Sequence, residues 1–100
     1  MTINQIAIKM LLENNVPPHL SGFRYLQTAI VICYNDCEKL SFVTKVLYPE
    51  IAKTHGFEDW RRVEHSIRVA IKQSIKNKLS NTAFISSLVW DIKQLEEPPI

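Results

Sequence analysis

Apolar residues recur at intervals of three and four along most of the chain, which is the periodicity of amphipathic α-helices. Thr2 is a candidate N-cap for the first predicted helix, whose apolar stripe ends before Pro17. The second predicted helix follows Gly22, and its apolar spacing passes an Asn-Asp pair at 35–36 to reach about Leu40. Because apolar residues also lie outside its main stripe, we expect the second helix to be largely buried.

Two short helices are predicted next, on either side of Pro49. Ser41 is a candidate N-cap for the first, in which apolar residues repeat at three and four until Pro49 ends the helix. Proline is tolerated at the first position of a helix, because the N–H group that it lacks has no helical partner there. Pro49 therefore also begins a second short helix, which runs to His55 and is closed by Gly56.

A long, strongly amphipathic helix is predicted from an N-cap at Asp59 to about Lys76. Its predicted inner face contains Val63, Ile67, Ala70, Ile71 and Ser74. The last helix is predicted to follow a cap at Asn81 or Thr82, and its apolar spacing continues until Pro98.

No segment shows the sustained period-two alternation that strands require. The sequence therefore predicts an all-α fold, a single-domain bundle of about six helices spanning residues 1–100. The chain contains only 2 Gly, which argues against Gly-rich loops that cradle phosphates. The aromatic residues Trp60, Trp90 and Tyr48 are expected to pack in the core or at its rim.

Candidate catalytic and metal-binding groups are sparse. Cys33 and Cys37 lie four apart in a mostly apolar stretch, and we expect both to be reduced core cysteines, without a second ligand pair for a metal. His19 and His55 belong to no metal-site pattern, so surface or capping roles are expected for them. Because nucleophile and base residues do not occur at motif spacing, we expect no enzyme activity, no cofactor and no metal.

The sequence also shows no targeting or membrane signal. The longest apolar run, residues 29–34, is far shorter than the roughly 20 residues of a membrane span, and no signal-peptide pattern precedes it. Together with the reduced cysteines, these features predict a cytoplasmic protein without a membrane partner.

The net charge of +2 hides an uneven distribution. Residues 41–80 hold eight of the twelve Lys and Arg but only four of the ten Asp and Glu. At about 100° per residue, one side of the long predicted helix carries Arg61, His65, Arg68, Lys72 and Lys76. A helix-turn-helix protein needs this division, because its second helix packs on the scaffold with one side and meets DNA with the other. The short helix before Gly56 is typical of the first helix of such a unit.

Several segments resemble a known family, the C-terminal DNA-binding domain of the sporulation response regulator (stage zero sporulation protein A). The most specific is TKVLYPEIAK at residues 44–53, followed by RVE at 62–64 and IR at 67–68. Earlier segments are also similar: VPPHL at 16–20, GFRYL at 22–26 and YND at 34–36. The resemblance covers residues 6–78 and resumes over residues 81–96.

The resemblance implies an all-α domain whose recognition helix, here about residues 59–76, enters the major groove of duplex DNA. It places Glu64, His65 and Arg68 at base-contacting positions, and Arg62 beside the DNA backbone. Arg68 can donate two hydrogen bonds to guanine and Glu64 can accept one from cytosine, while Arg61, Lys72 and Lys76 can neutralise phosphates. The family's two domains on tandem boxes imply a homodimer on DNA.

The chain departs from the family pattern at two places. The family usually has Arg at the position of His65 and His at the position of Val69, which predicts an altered sequence preference. The connection between the recognition helix and the last helix is shorter than in the family, and the missing part resembles the stretch linked to RNA polymerase. RNA polymerase is therefore a less secure expected partner than duplex DNA, and no receiver domain is expected in this chain.

Two function classes follow. The first is a sequence-specific, duplex DNA-binding transcriptional regulator in the bacterial cytoplasm, associated with the nucleoid. The second is a protein-interaction module that binds a partner regulator or RNA polymerase without reading DNA. Steep loss of duplex binding with rising salt separates the first class from the second.

Overall fold

The computed structural model describes residues 1–96, without the side chain of Glu96. It confirms the all-α prediction, with no β-strand among these residues. The five α-helices are α1 (Ile3–Glu13), α2 (Ser21–Asn35), α3 (Tyr48–Thr54), α4 (Trp60–Lys72) and α5 (Asn81–Glu96). A 3₁₀ helix at Cys37–Ser41 and a π-helical turn at Val43–Leu47 connect α2 to α3.

The predicted cap of α1 is confirmed. The Thr2 hydroxyl accepts a hydrogen bond from the Gln5 backbone N–H at 3.2 Å, and the Gln5 side chain accepts one from the Thr2 backbone N–H at 2.9 Å. This reciprocal pair satisfies two N–H groups that the first turn of a helix leaves without partners.

The second helix ends earlier than predicted. It stops at Asn35 instead of continuing to about Leu40, because Asp36 leaves the helical conformation with φ −148° and ψ 89°. The Asp36 carboxylate accepts a hydrogen bond from the Glu38 backbone N–H at 3.2 Å and caps the 3₁₀ helix. The apolar residues beyond Asp36 therefore belong to a separate short helix.

The two short helices predicted on either side of Pro49 are present, at Val43–Leu47 and Tyr48–Thr54, but the predicted cap at Ser41 is wrong. Ser41 is the last residue of the 3₁₀ helix, and the π-helical turn has Phe42 as its N-cap. That turn continues into α3 through Tyr48, which has helical backbone angles of −61° and −44°. Pro49 lies in the first turn of α3, where its fixed φ suits a helix.

Both ends of the connection between α4 and α5 differ from the prediction. Helix α4 ends at Lys72 instead of about Lys76. The Ser74 hydroxyl donates to the Ile71 carbonyl at 2.7 Å and accepts from the Lys76 backbone N–H at 3.1 Å, which competes with continued helix. At the start of α5, the Ser80 hydroxyl accepts a hydrogen bond from the Ala83 backbone N–H at 3.1 Å. Ser80 is therefore the cap of α5, and the predicted cap at Asn81 or Thr82 is wrong.

Helix α2 lies at the centre of the bundle and contacts α1, α3, α4 and α5. The predicted inner face of α4 is confirmed, since Val63, Ile67, Ala70 and Ile71 are buried; Ser74 is also buried, but it lies just beyond the end of the helix. Tyr48 is buried and stacks on half-buried Trp60 with ring centroids 6.1 Å apart, as expected for packing residues. Trp90 is not a packing residue, since 64% of its surface is exposed on α5.

The two cysteines lie in different environments. Cys33 is buried as predicted, and burial raises the pKa of its thiol to about 12, which keeps it protonated and unreactive. Cys37 is exposed, so its expected place in the core is wrong. The predicted second helix would have buried Cys37, but the chain has already left α2 at Asp36. The Cys37 sulfur accepts a hydrogen bond from Lys93 Nζ at 3.0 Å.

Helices α2 and α4 cross in close contact at Gly22. A Cβ atom at this position would lie 2.1 Å from the backbone oxygen of Ser66 and 2.7 Å from the Cβ of Ala70. Gly22 is buried in the first turn of α2, although the sequence suggested only that it precedes the helix. The absent side chain therefore sets how closely α4 docks on the bundle.

Candidate nucleic-acid interface

Helix α4 divides into a buried face and a basic face. Four side chains with basic groups follow one line along its exposed side, and we call them the basic ridge: Arg61, His65, Arg68 and Lys72. All four are exposed, and the opposite side of the helix is packed against the bundle. A rigid helix with this division can present hydrogen-bond donors outward without giving up core contacts.

The start of the ridge is fixed by the N-cap of α4. The Asp59 carboxylate accepts a hydrogen bond from the Arg61 backbone N–H at 3.0 Å. The Arg61 guanidinium lies 5.5 Å from the Trp60 ring centroid, and that of Arg62 lies 4.3 Å from the Phe57 ring centroid. Both arginines are exposed, so aromatic contact orients them while their donors stay accessible.

Glu64 and Arg68 form an ion pair one turn apart on α4. The Arg68 Nη2 lies 3.5 Å from the Glu64 Oε1, and the side chains are 56% and 35% exposed. An ion pair in water at this exposure contributes less than about 1 kcal/mol. The pair can therefore open at little cost, and both groups are available to a ligand.

Lys76 does not lie on the ridge, because α4 ends one turn before it. Its Nζ donates to the Ser87 hydroxyl at 3.1 Å and lies 3.6 Å from Asp91 Oδ2, both on α5. The predicted basic stripe is therefore one turn too long. A phosphate contact by Lys76 stays a prediction.

The turn between α3 and α4 joins the two helices of the helix-turn-helix. Gly56 adopts φ +85°, the left-handed conformation that glycine adopts without strain. His55 is the C-cap of α3, and its Nε2 lies 2.8 Å from the Thr28 hydroxyl on α2. Burial, with a smaller effect of Arg24, lowers the pKa of His55, which favours a neutral ring here.

Asn81 ties the ridge helix to its neighbours, a role that sequence periodicity missed. Its side-chain Nδ2 donates to the Tyr48 hydroxyl at 3.0 Å and to the Glu64 carbonyl at 3.1 Å. One side chain from α5 thereby contacts both helices of the helix-turn-helix. The sequence signal was present only as a polar residue at the start of α5.

We expect Asn81→Ala to lower the free energy of unfolding by about 1–2 kcal/mol, because it removes the donor to the buried Tyr48 hydroxyl and to Glu64. Chemical denaturation measures the change. Thr82→Ala is the matched control, since Thr82 is its exposed neighbour and should change stability by less than about 0.5 kcal/mol. Equal stability of the two variants would contradict a structural role of Asn81.

A groove flanks the basic ridge on each side. The connection groove has a volume of about 510 Å³ and lies between α4, the π-helical turn and the connection of residues 73–80. A smaller groove of about 230 Å³ lies between α4 and the start of α2, and is lined by Leu20, Ser21, Gly22, His65, Ser66 and Val69. The ridge therefore projects between two depressions.

No group of three or more His, Cys, Asp or Glu side chains among the described residues is placed to hold a metal ion. No helix in this part of the chain has both the length and the apolar character needed to cross a membrane.

The sequence profile described as "Sporulation initiation factor Spo0A C terminal" matches residues 7–94. This range includes the helix-turn-helix, the basic ridge and α5 up to Gln94. It confirms the resemblance found in the TKVLYPEIAK segment and its surroundings. The chain belongs to the family of Spo0A C-terminal domains, which are DNA-binding domains of transcription regulators and not enzymes.

Proposed function

We propose that this protein is a sequence-specific transcriptional regulator that inserts α4 into the major groove of duplex DNA. The observation that carries the proposal is the basic ridge, which is exposed along α4 while the other side of the helix is buried. Family membership supports DNA binding in general. The ridge supports this particular way of binding, because it presents donors at the spacing of helical turns.

Base contacts are assigned to Glu64, His65 and Arg68. Arg68 is long enough to donate two hydrogen bonds to the O6 and N7 atoms of guanine, and Glu64 can accept from the N4 amine of cytosine. In the free protein these two side chains pair with each other at 3.5 Å. Exchange of this weak pair for base contacts leaves no charge buried without a partner. His65 is exposed on the same ridge and adds a further donor.

Backbone contacts are assigned to Arg61, Arg62, Lys72 and Lys76. Arg61, Arg62 and Lys72 are exposed and can meet phosphates directly. Lys76 can reach a phosphate only by releasing Asp91 and Ser87, so we rank it below the other three.

Selection of bound sequences from random duplexes, followed by a salt titration, tests the proposal. Three phosphate contacts predict that the logarithm of the association constant falls with the logarithm of salt concentration with a slope of about −3 or steeper. The selected duplex should bind more tightly than a scrambled duplex at every salt concentration. Absence of duplex binding at low salt would refute the proposal.

The second candidate function is a protein-interaction module. Trp90 favours it, because a tryptophan that is 64% exposed on α5 is a typical anchor for a protein partner. Partners of this kind would be RNA polymerase or a partner regulator, bound without reading DNA. Trp90→Ser separates the functions: it should weaken such an association and leave the affinity of one protein copy for one DNA site unchanged.

A further inference from the structure

The connection groove has a cationic lining that includes one residue outside the predicted site, Lys78. Lys78, in the connection of residues 73–80, lines this groove together with Arg68 and Lys72 of α4. Thr44 and Ser80 add hydroxyl groups to the lining. Lys78 is exposed and forms no ion pair within the described part of the chain, and the same is true of Lys72.

The charge of the groove favours an anion. Its lining contains three cationic side chains and one carboxylate, that of Glu64, which is already paired with Arg68. The smaller groove on the other side of α4 is lined by no Lys or Arg. The lining of the connection groove is therefore the more cationic of the two.

The connection is held in place at several points, so Lys78 extends from a fixed backbone. The Ile75 backbone N–H donates to the Asn14 carbonyl at the end of α1 at 3.0 Å. Lys76 is attached to α5 through Ser87 and Asp91, and the Leu79 backbone N–H donates to the Lys76 carbonyl at 3.2 Å. Binding through Lys78 would have to order only its side chain, which limits the entropic cost.

The dimensions of DNA place phosphates at such a groove. A helix with side chains is about 10–12 Å wide, and the major groove is about 12 Å wide. A helix seated in it therefore has a phosphate strand along each flank. Resting on the proposed function, we propose that the connection groove holds a backbone phosphodiester at one edge of the major groove, bound by Lys78 beside Lys72.

Lys78→Gln tests this proposal against Lys9→Gln, which removes the same charge from an exposed position on α1. We expect Lys78→Gln to weaken binding of selected and scrambled duplexes alike, and to reduce the salt slope by about 0.9. The ratio of wild-type to variant affinity should therefore fall roughly three- to fourfold between about 50 and 200 mM salt. Lys9→Gln should keep the wild-type slope.

A second measurement locates the phosphate on the DNA. Single neutral methylphosphonates replace phosphates one at a time along the selected duplex. At one flanking position we expect the replacement to lower the affinity of the wild-type protein but to have little effect on the already weakened binding of Lys78→Gln. If wild-type protein binds duplex steeply with salt while Lys78→Gln matches Lys9→Gln, the groove proposal is overturned and the proposed function stands. If wild-type protein binds no duplex, the proposed function itself fails. Binding of inorganic phosphate at Lys78 without any sensitive methylphosphonate would identify a free-anion site and also overturn the proposal.

Discussion

Gly22→Ala is expected to lower the free energy of unfolding by about 3 kcal/mol, at the upper end of the usual cost of overpacking. In an ordinary helix this substitution stabilises by up to about 1 kcal/mol, because alanine has the higher helix propensity. Here the added methyl carbon would lie 2.1 Å from the Ser66 carbonyl oxygen, an atom of the α4 backbone. Backbone cannot rotate away as a flexible side chain can, so the clash outweighs the gain in propensity.

Thermal and chemical unfolding measure this effect. For a domain of this size, the expected loss corresponds to a fall in Tm of roughly 12–24 °C. Ser21→Ala is the matched control, since Ser21 is the exposed neighbour in the same turn and makes no side-chain capping bond. If Gly22→Ala were as stable as Ser21→Ala, the close crossing of α2 and α4 would be refuted.

Arg68→Ala is expected to reduce binding of the selected duplex roughly 10- to 100-fold, the value of one well-placed Arg–guanine contact. Binding of scrambled duplexes should fall far less, because they keep the phosphate contacts and have no correctly placed guanine for Arg68 to contact. The ratio of selected to scrambled affinity should therefore fall by nearly the same factor as the affinity for the selected duplex. Stability should change by less than about 1 kcal/mol, since the pair with Glu64 is exposed to water.

Lys72→Ala is the comparison for Arg68→Ala, because both residues belong to the basic ridge. Lys72→Ala should lower the affinity for selected and scrambled duplexes by similar factors and should reduce the salt slope by about one. Titration of both duplexes with both variants at two salt concentrations gives four ratios of selected to scrambled affinity, one for each variant at each salt concentration. An equal loss on every duplex from Arg68→Ala would argue against base readout by this residue.

Most of the scaffold could be predicted from the sequence, because it depends on local pattern. Periodicity correctly identified the buried face of α4, and Thr2 and Asp59 were recognised as caps by residue type. The errors lie where a short polar side chain competes for backbone hydrogen bonds. Asp36 ends α2 before Leu40, and Ser74 keeps α4 from reaching Lys76. In each case apolar spacing continues past the end of the helix, so periodicity alone does not detect it.

The remaining features depend on contacts between segments distant in sequence. The requirement for glycine at position 22 comes from the nearby α4 backbone, and the structural role of Asn81 comes from hydrogen-bond acceptors on α3 and α4. Lys78 lies near the basic ridge only because the connection folds back beside α4. Trp90 is expected to pack because of its residue type alone, but its side chain is exposed on α5. None of these positions has a local pattern that distinguishes it.

The crossing at Gly22 also bears on how new DNA specificities can arise in this domain. Helix α4 is located by its own main chain and by its buried face, and neither involves the side chains of the basic ridge. Substitutions at ridge positions should therefore change the free energy of unfolding by less than about 1 kcal/mol. His65 is such a position. The DNA sequence preference of the domain can therefore change through single substitutions on the ridge while the scaffold stays the same.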